Sequence, residues 1–316
     1  MIGTVAIIGA GTAGLVAAEC LRNANFEVSV FEKSRGVGGR MATRRRDGFS
    51  FDHGAQFVDA KTPEFKHALE AWNVAGVVEP WFKNCFVGIP GMSGIANALS
   101  KDQNILFGCR VTQLHRYENG WGLKGESETD APTLDRKFDA VIVAIPSPQT
   151  VELLQTADVN LPELEQTRYE PCLAMMAAFA EPIAGIPDRL SPNDPVIAWL
   201  ARNSSKPSRP QAQETFVVHA TADWSRRHLD KDHDDIAQML LERFHKLSGV
   251  QPEPTLLMGH RWKYALVSNP MGKPYIWKSA IGLGACGDWC LGPRIEDAFL
   301  SGREMAEQII STGKFP

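Results

Sequence analysis

The sequence has no uninterrupted apolar run near the ~18 residues a membrane-spanning helix requires, and its start lacks the basic residues and cleavage site of a secretory signal. A cytoplasmic chain is expected. Cysteine is sparse: Cys20, Cys85, Cys109, Cys172, Cys286 and Cys290 form no CxxC pair and have no histidine at zinc-ligand spacing. Neither a disulfide framework nor a metal centre is expected. An excess of one charge is missing as well. Lys+Arg 33 against Asp+Glu 37 leaves a net charge of −4, which exerts no global pull on nucleic acid or an anionic membrane, so any phosphate recognition must be local. The Arg44-Arg45-Arg46 run reads as a solvated face or as cofactor surroundings. No internal repeat or low-complexity tract is present, and nothing points to an obligate protein partner. What remains is an ordinary globular composition, 316 residues at 44% hydrophobic and 22% charged, enough for one large domain or two smaller ones.

The chemistry begins at residue 5. Val5–Ile8 is a short apolar run, followed by Gly9-Ala10-Gly11-Thr12-Ala13-Gly14 and then by the helical spacing of Leu15, Ala18 and Leu21. In a strand, glycine turn and helix of this kind, Gly9 permits the turn, Gly11 lets a pyrophosphate approach the backbone, and Gly14 lets the helix lie close to the strand. Phosphates then meet free N–H groups at the positive end of the helix. A second strand, Glu27–Phe31, ends at Glu32, where a carboxylate can accept both hydroxyls of an adenosine ribose. This pattern predicts dinucleotide binding.

Directly after Glu32 comes a second glycine-rich stretch, Lys33-Ser34-Arg35-Gly36-Val37-Gly38-Gly39-Arg40-Met41, for which a simple NAD dehydrogenase has no use. It resembles the second FAD motif of the flavin amine oxidase superfamily. Asp52-His53-Gly54-Ala55-Gln56-Phe57 resembles the loop this superfamily lays against the isoalloxazine ring. Phe138–Ile145, read as one buried strand, resembles the strand that returns to the nucleotide-binding sheet. Cys109-Arg110-Val111 has the pattern of the strand that meets the adenine. Ile281–Cys286 reads as the last strand and Gly287-Asp288 as its turn; its second GxGxxG, Gly282 to Gly287, is rejected as a nucleotide site because its glycines lie within the strand and no helix opens on them. A helix is expected from Arg294-Ile295. The resemblance implies noncovalent FAD, with Ala13, Lys33, Gly39, Arg40 and Met41 around the phosphates and Val111 at the adenine. Gln56, Phe57, Asp288, Arg294 and Ile295 are implied at the ribityl and flavin end.

The middle of the chain resembles one branch of the superfamily, the bacterial renalases, in Val87-Gly88-Ile89-Pro90-Gly91-Met92-Ser93, Trp199-Leu200-Ala201-Arg202-Asn203-Ser204-Ser205-Lys206-Pro207 and His260-Arg261-Trp262-Lys263-Tyr264-Ala265. Ile89 departs from the basic or polar residue expected there. The resemblance implies an FAD oxidase that returns 2- or 6-dihydro isomers of NAD(P)H to NAD(P)+ and reduces O2 to hydrogen peroxide. Pro90, Gly91, Met92, Trp199, Arg202, Asn203, His260, Trp262 and Tyr264 are the substrate-binding candidates. On a strand, the rings of His260, Trp262 and Tyr264 share one face, which suits a flat pocket and equally an aromatic core stripe. Arg202, Asn203 and Lys206 suit phosphate or ribose, or else a solvated loop.

Oxidising a dihydropyridine needs no obligatory general base, so no catalytic side chain is assigned. The alternatives are an amine oxidase or desaturase-like oxidoreductase on a small amine or apolar substrate, for which Lys263 and Lys278 are the lysines to watch, and a flavin-bound redox sensor without turnover. The expected fold is α/β, an FAD-binding Rossmann-type domain from residues 1–58, 102–152 and 279–316, with an interrupted mixed-sheet substrate domain from residues 59–101 and 153–278.

Overall fold

The computed structural model describes residues 3–127, 136–210 and 212–312; the outer ends of the expected cofactor segments, residues 1–2 and 313–316, lie outside them. Strand β1 (Thr4–Ile8) is buried along most of its length and leads through the glycine turn into helix α1 (Thr12–Asn23). Strand β2 (Glu27–Phe31) then returns parallel to β1, with Val5 opposite Val28 and Ile8 opposite Phe31. A hairpin of β3 (Thr43–Arg46) and β4 (Phe49–Asp52) follows, then α2 (Pro63–Val74), the hairpin of β5 (Val78–Phe82) and β6 (Cys85–Gly88), and α3 (Ser93–Leu99). Strand β7 (Ile105–Leu106) extends the sheet beyond β2, and β8 (Cys109–Arg116), β9 (Trp121–Ser127) and β10 (Lys137–Phe138) form a small antiparallel sheet.

Phe138–Ile145, which reads as one strand in the sequence, is divided at Asp139. The Asp139 carboxylate accepts from the Thr4 amide at 2.7 Å and the Thr4 hydroxyl at 2.9 Å, which turns the chain between the two sheets. Phe138 pairs with Trp121, whereas β11 (Ala140–Val143) pairs parallel with β1.

Helix α4 (Ser147–Gln155) leads to β12 (Arg168–Phe179), β13 (Arg189–Leu190), β14 (Ile197–Arg202) and β15 (Glu214–Ala220), then α5 (Ala222–Arg227), α6 (His233–Ser248) and β16 (Leu256–Asn269). These strands pair antiparallel in the order β13-β14-β15-β12-β16. The chain then returns to the first sheet through β17 (Ile276–Lys278) and β18 (Leu283–Ala285), completing the order β17-β18-β11-β1-β2-β7, and ends in α7 (Ile295–Thr312). Gly284 lies inside β18, so the second glycine series is strand and turn.

Each sheet has its own core. Ile236, Leu240 and Phe244 recur every four residues on α6 and pack on Leu173, Met175, Phe216 and Val218. Gly259 is required at that seam, because a side chain there would collide with the His233 carbonyl at the start of α6. In the first sheet, α7 lies against α1 closely enough that a side chain at Gly302 would collide with the Ala13 carbonyl.

The opposite face of the antiparallel sheet packs Met176, Ala178, Val217 and Met258 on Phe51 of the β3–β4 hairpin. Along the same face come His219, His260 and Trp262, the His260 and Trp262 rings 4.3 Å apart and His53 set against them at 4.7 and 4.9 Å. His219 Nε2 and Trp262 Nε1 each lie 3.0 Å from the His53 carbonyl, tying the loop after β4 to the sheet. Burial pushes the imidazoles down from 6.5, His53 and His219 to about 4 and His260 to about 3.

Two predictions follow from this packing. In the interval between pH 6.5 and 4 the unfolded histidines bind protons that the folded ones refuse, so stability is full above the upper limit and falls as the pH is lowered. Urea unfolding across that interval should show the fall, and His260→Phe should flatten it by roughly a third; an unchanged profile in the variant would contradict the assignment. Gly302→Ala should lower the melting temperature through overpacking worth about 1–3 kcal/mol, although alanine is the better helix former at an uncrowded position.

Candidate active site

Gly9 has φ 104°, and a side chain there would press within 2.8 Å of the Ala144 carbonyl; one at Gly14 would collide with the Gly9 carbonyl. Gly11 is different. No atom stands within 4 Å of where its side chain would be, and the corresponding position at Gly39 (φ 52°) meets only Gly11 Cα at 4.0 Å. Open space therefore lies over two glycine backbones at the N-terminus of α1, as a pyrophosphate requires. Ala13 is buried in the first turn of α1, and Met41 is buried with its sulfur 3.8 Å from the Thr12 hydroxyl, so both shape this floor from below.

Glu32 is buried, its Oε2 accepting from the Ala10 amide at 2.9 Å and its Oε1 from the Ser34 amide at 2.8 Å. These bonds fix the carboxylate at the mouth of an open cleft of about 210 Å³ lined by Gly9, Glu32, Lys33, Val111 and Gln149. Glu32 and Val111, the residues expected at the ribose and the adenine, both line this cleft.

On the other side of the glycines the chain closes around Arg40. Its guanidinium forms a bidentate pair with Asp288, Nη1 to Oδ2 at 2.6 Å and Nη2 to Oδ1 at 2.8 Å, and Nη1 also donates to the Ala265 carbonyl at 3.1 Å. Tyr169 stands 5.9 Å beneath the guanidinium and 5.5 Å from Tyr264. The Arg40 carbonyl accepts from the Ala55 amide at 2.9 Å, which carries the surface on to Gln56 and Phe57. Arg294 pairs with Asp59 at 2.5 Å, and Ile295 opens α7 beside it. Arg40 thus joins distant segments, Asp288 through its side chain and Ala55 through its carbonyl.

Behind the loop lies a buried cluster of charges. Asp52 Oδ2 accepts from Arg209 at 2.6 Å and Lys206 at 3.2 Å, while Oδ1 accepts from the Met92 amide at 2.9 Å and the Thr43 hydroxyl at 2.8 Å. Lys206 also donates to Gln56 Oε1 at 3.3 Å, and the Gln56 amide nitrogen donates to the Asp52 and Gly54 carbonyls. Burial alone would raise the Asp52 carboxyl, but Lys206 and Arg209 hold it well below the ordinary carboxylate range. The Lys206 ammonium is pulled down by burial to about 8, with Asp52 opposing the shift.

The substrate candidates are distributed unevenly. Met92 is fully buried and Gly91 is pressed on Thr43, so with Pro90 they form a turn held to Asp52. Arg202 is engaged by Glu214, by the Ile183 and Ile186 carbonyls and by the Phe216 ring. Asn203 joins Ser50 to the Asp52 amide. The solvated-loop reading of this segment fails, because Asn203 and Lys206 are buried. His260 and Trp262 pack on His53, Tyr264 on Tyr169, and Trp199 lies 5.7 Å from Phe57. Lys263 sits over the Tyr264 ring and Lys278 pairs with Glu163. Sequence reasoning missed Asp52 and Arg209 as a pair, and also Trp81 and Phe82, whose rings lie beside Phe57 and Lys206; the sole hint was two cations among prolines and serines with no acidic neighbour. Among the described residues no cluster suited to a metal ion occurs, and no helix is long and apolar enough to cross a membrane.

Comparison with known proteins agrees with this geometry. Residues 7–73 match the NAD(P)-binding Rossmann-like domain and residues 75–310 match the family described as flavin containing amine oxidoreductase. Over 54 residues the chain is 48% identical to 4,4'-diapophytoene desaturase (4,4'-diaponeurosporene-forming) of Staphylococcus aureus, a match that takes in 17% of this chain and 11% of the desaturase. A protein of Exiguobacterium sp. 255-15 assigned provisionally as a protoporphyrinogen oxidase has the same fold at a TM-score of 0.77 and 15% identity, over 98% of this chain and 99% of that one. Putrescine oxidase with putrescine bound gives 0.71 at 14% over 98% and 99%, and cyclohexylamine oxidase of Brevibacterium oxydans IH-35A gives 0.70 at 13% over 99% of each chain. The chain belongs to the flavin containing amine oxidoreductase family, with FAD as its dinucleotide.

Proposed function

We propose that this protein is an oxidase that converts the 2- or 6-dihydro isomers of NAD(P)H, with O2 and a proton, to NAD(P)+ and hydrogen peroxide. FAD, held noncovalently, supplies the hydride acceptor at N5 and returns the electron pair to oxygen. Its adenosine half fits the Glu32 cleft, leaving the flavin half the direction of Arg40, Asp288 and Gln56. Cys290 is fully buried with its thiol pushed up to about 12, so it offers no thiolate for a covalent link.

The observation that carries the reading is the charge behind the rings at the end of the groove. Phe57 and Trp199 stand 5.7 Å apart, and the buried group behind Gln56 is one carboxylate shared by two cations. A protonated amine would meet excess positive charge there, whereas a neutral dihydropyridine ring would not. The neutral imidazoles of His53 and His260 keep the adjoining sheet face uncharged at pH 7. The ring nitrogen's lone pair drives hydride departure, so the chain's task is to hold a flat substrate against a flat cofactor. The likeness to amine oxidases is one of fold and leaves amine oxidation as the competing reading.

Anaerobic stopped-flow mixing of the holoprotein with 2- and 6-dihydroNAD, ordinary NADH and a panel of amines separates the two. Rapid loss of flavin absorbance with the isomers alone is expected. Bleaching by an amine with the isomers inert would reject the proposal.

A further inference from the structure

Against Phe57 lies a wall of rings that no sequence motif indicated. Phe57 meets Phe82 at 5.3 Å and Trp199 at 5.7 Å, and Phe82 meets Trp81 at 5.0 Å. All four rings are half-buried, although they come from the loop after β4, the β5–β6 hairpin and β14. Trp81 is held by a 3.3 Å bond from its indole N–H to the Ser205 hydroxyl, with Lys206 over its ring at 5.3 Å. The Trp199 indole nitrogen is buried and has no hydrogen-bond partner, a donor whose desolvation a ligand acceptor would offset.

At the outer end of this wall lies Arg189, on the edge strand β13. Its guanidinium carbon is 3.9 Å from the centre of the Phe82 ring. A guanidinium laid over a ring uses its face and leaves the N–H groups along its edge free for an anion. Arg189 is exposed and, among the described residues, forms no ion pair. Asp188, its neighbour in the chain, lies 3.5 Å from the Arg202 guanidinium. A flat aromatic surface ending in an unpaired, pre-oriented cation suits a ligand with a planar ring at one end and an oxyanion at the other.

We propose that Arg189 on its Phe82 platform is the anion-recognising residue of the substrate site and selects a planar heterocycle carrying a phosphate, of mononucleotide size or larger. This rests on the dihydronicotinamide reading, since it names the part of that substrate beyond the reacting ring. It assigns phosphate recognition to a residue outside the Arg202–Lys206 segment, whose polar groups are occupied within the protein.

The test is equilibrium binding to the oxidised holoprotein, followed by quenching of tryptophan fluorescence with nicotinamide mononucleotide and with nicotinamide riboside, which lacks the phosphate. The native chain should prefer the mononucleotide by about tenfold or more, Arg189→Ala should bind both equally, and Arg189→Lys should keep only part of the preference because the planar fork is lost. Equal binding in the native chain, a preference that survives in Arg189→Ala, or no binding of either compound would overturn the proposal. Should the Arg189-dependent preference stand while dihydronicotinamides leave the flavin oxidised, the reaction proposed above fails and this site remains.

Discussion

A carboxylate withdrawn from water must be answered by charge and hydrogen bonds, and Asp52 is answered from four places in the chain. Thr43, the Met92 backbone, Lys206 and Arg209 converge on it, and Asp52 itself is inaccessible to solvent. Desolvating these groups costs several kcal/mol per ion, which only good geometry recovers. The geometry in turn dictates much else. It fixes the β3–β4 hairpin against the turn at Gly91 and against the loop that follows β14, and the next residues in the chain are the loop that borders the cofactor groove. The shared carboxylate acts there together with the bonds from His219 and Trp262 to the His53 carbonyl.

The same device sets the electrical character of the site. Lys206 and Arg209 both bind Asp52, and aromatic rings lie beside them, with Lys206 over Trp81 and hydrogen-bonded to Gln56. On the far side the Arg40–Asp288 pair is internally neutral and bidentate. The surroundings of Asp52 and of Arg40 therefore differ in charge. The fold by itself does not set specificity, since putrescine oxidase and cyclohexylamine oxidase have it in common.

The cofactor half was legible because it relies on local rules. A glycine turn, an acidic strand end and a helix opening on backbone N–H groups must follow one another closely, and each leaves its residue type in the sequence. The substrate half depends on encounters between distant residues. Arg202 and Asn203 have the composition of a ligand-binding loop, but tertiary contacts consume their donors. Lys206 reads as a phosphate or ribose contact, or else as solvated, because nothing near it in sequence reveals Asp52. Phe82 and Arg189, over a hundred positions apart, become one surface only through folding. The apolar run at 138–145 looked continuous because hydrophobicity cannot register that Asp139 turns to bind Thr4.

The pairing of Arg40 with Asp288 also has a temporal side. The partners are separated by 248 positions, and β18 reaches its place beside β11 only after the whole antiparallel sheet has been made. At synthesis rates of about 5–20 residues per second, Arg40 leaves the ribosome roughly 10–50 s before Asp288 exists. During that interval β1, β2 and β11 can associate, but the sheet has an unpaired edge where β18 belongs and the groove lacks one wall. The nascent protein must pass through this open stage with its most apolar strands already made, and the Arg40–Asp288 pair is among the last contacts it acquires.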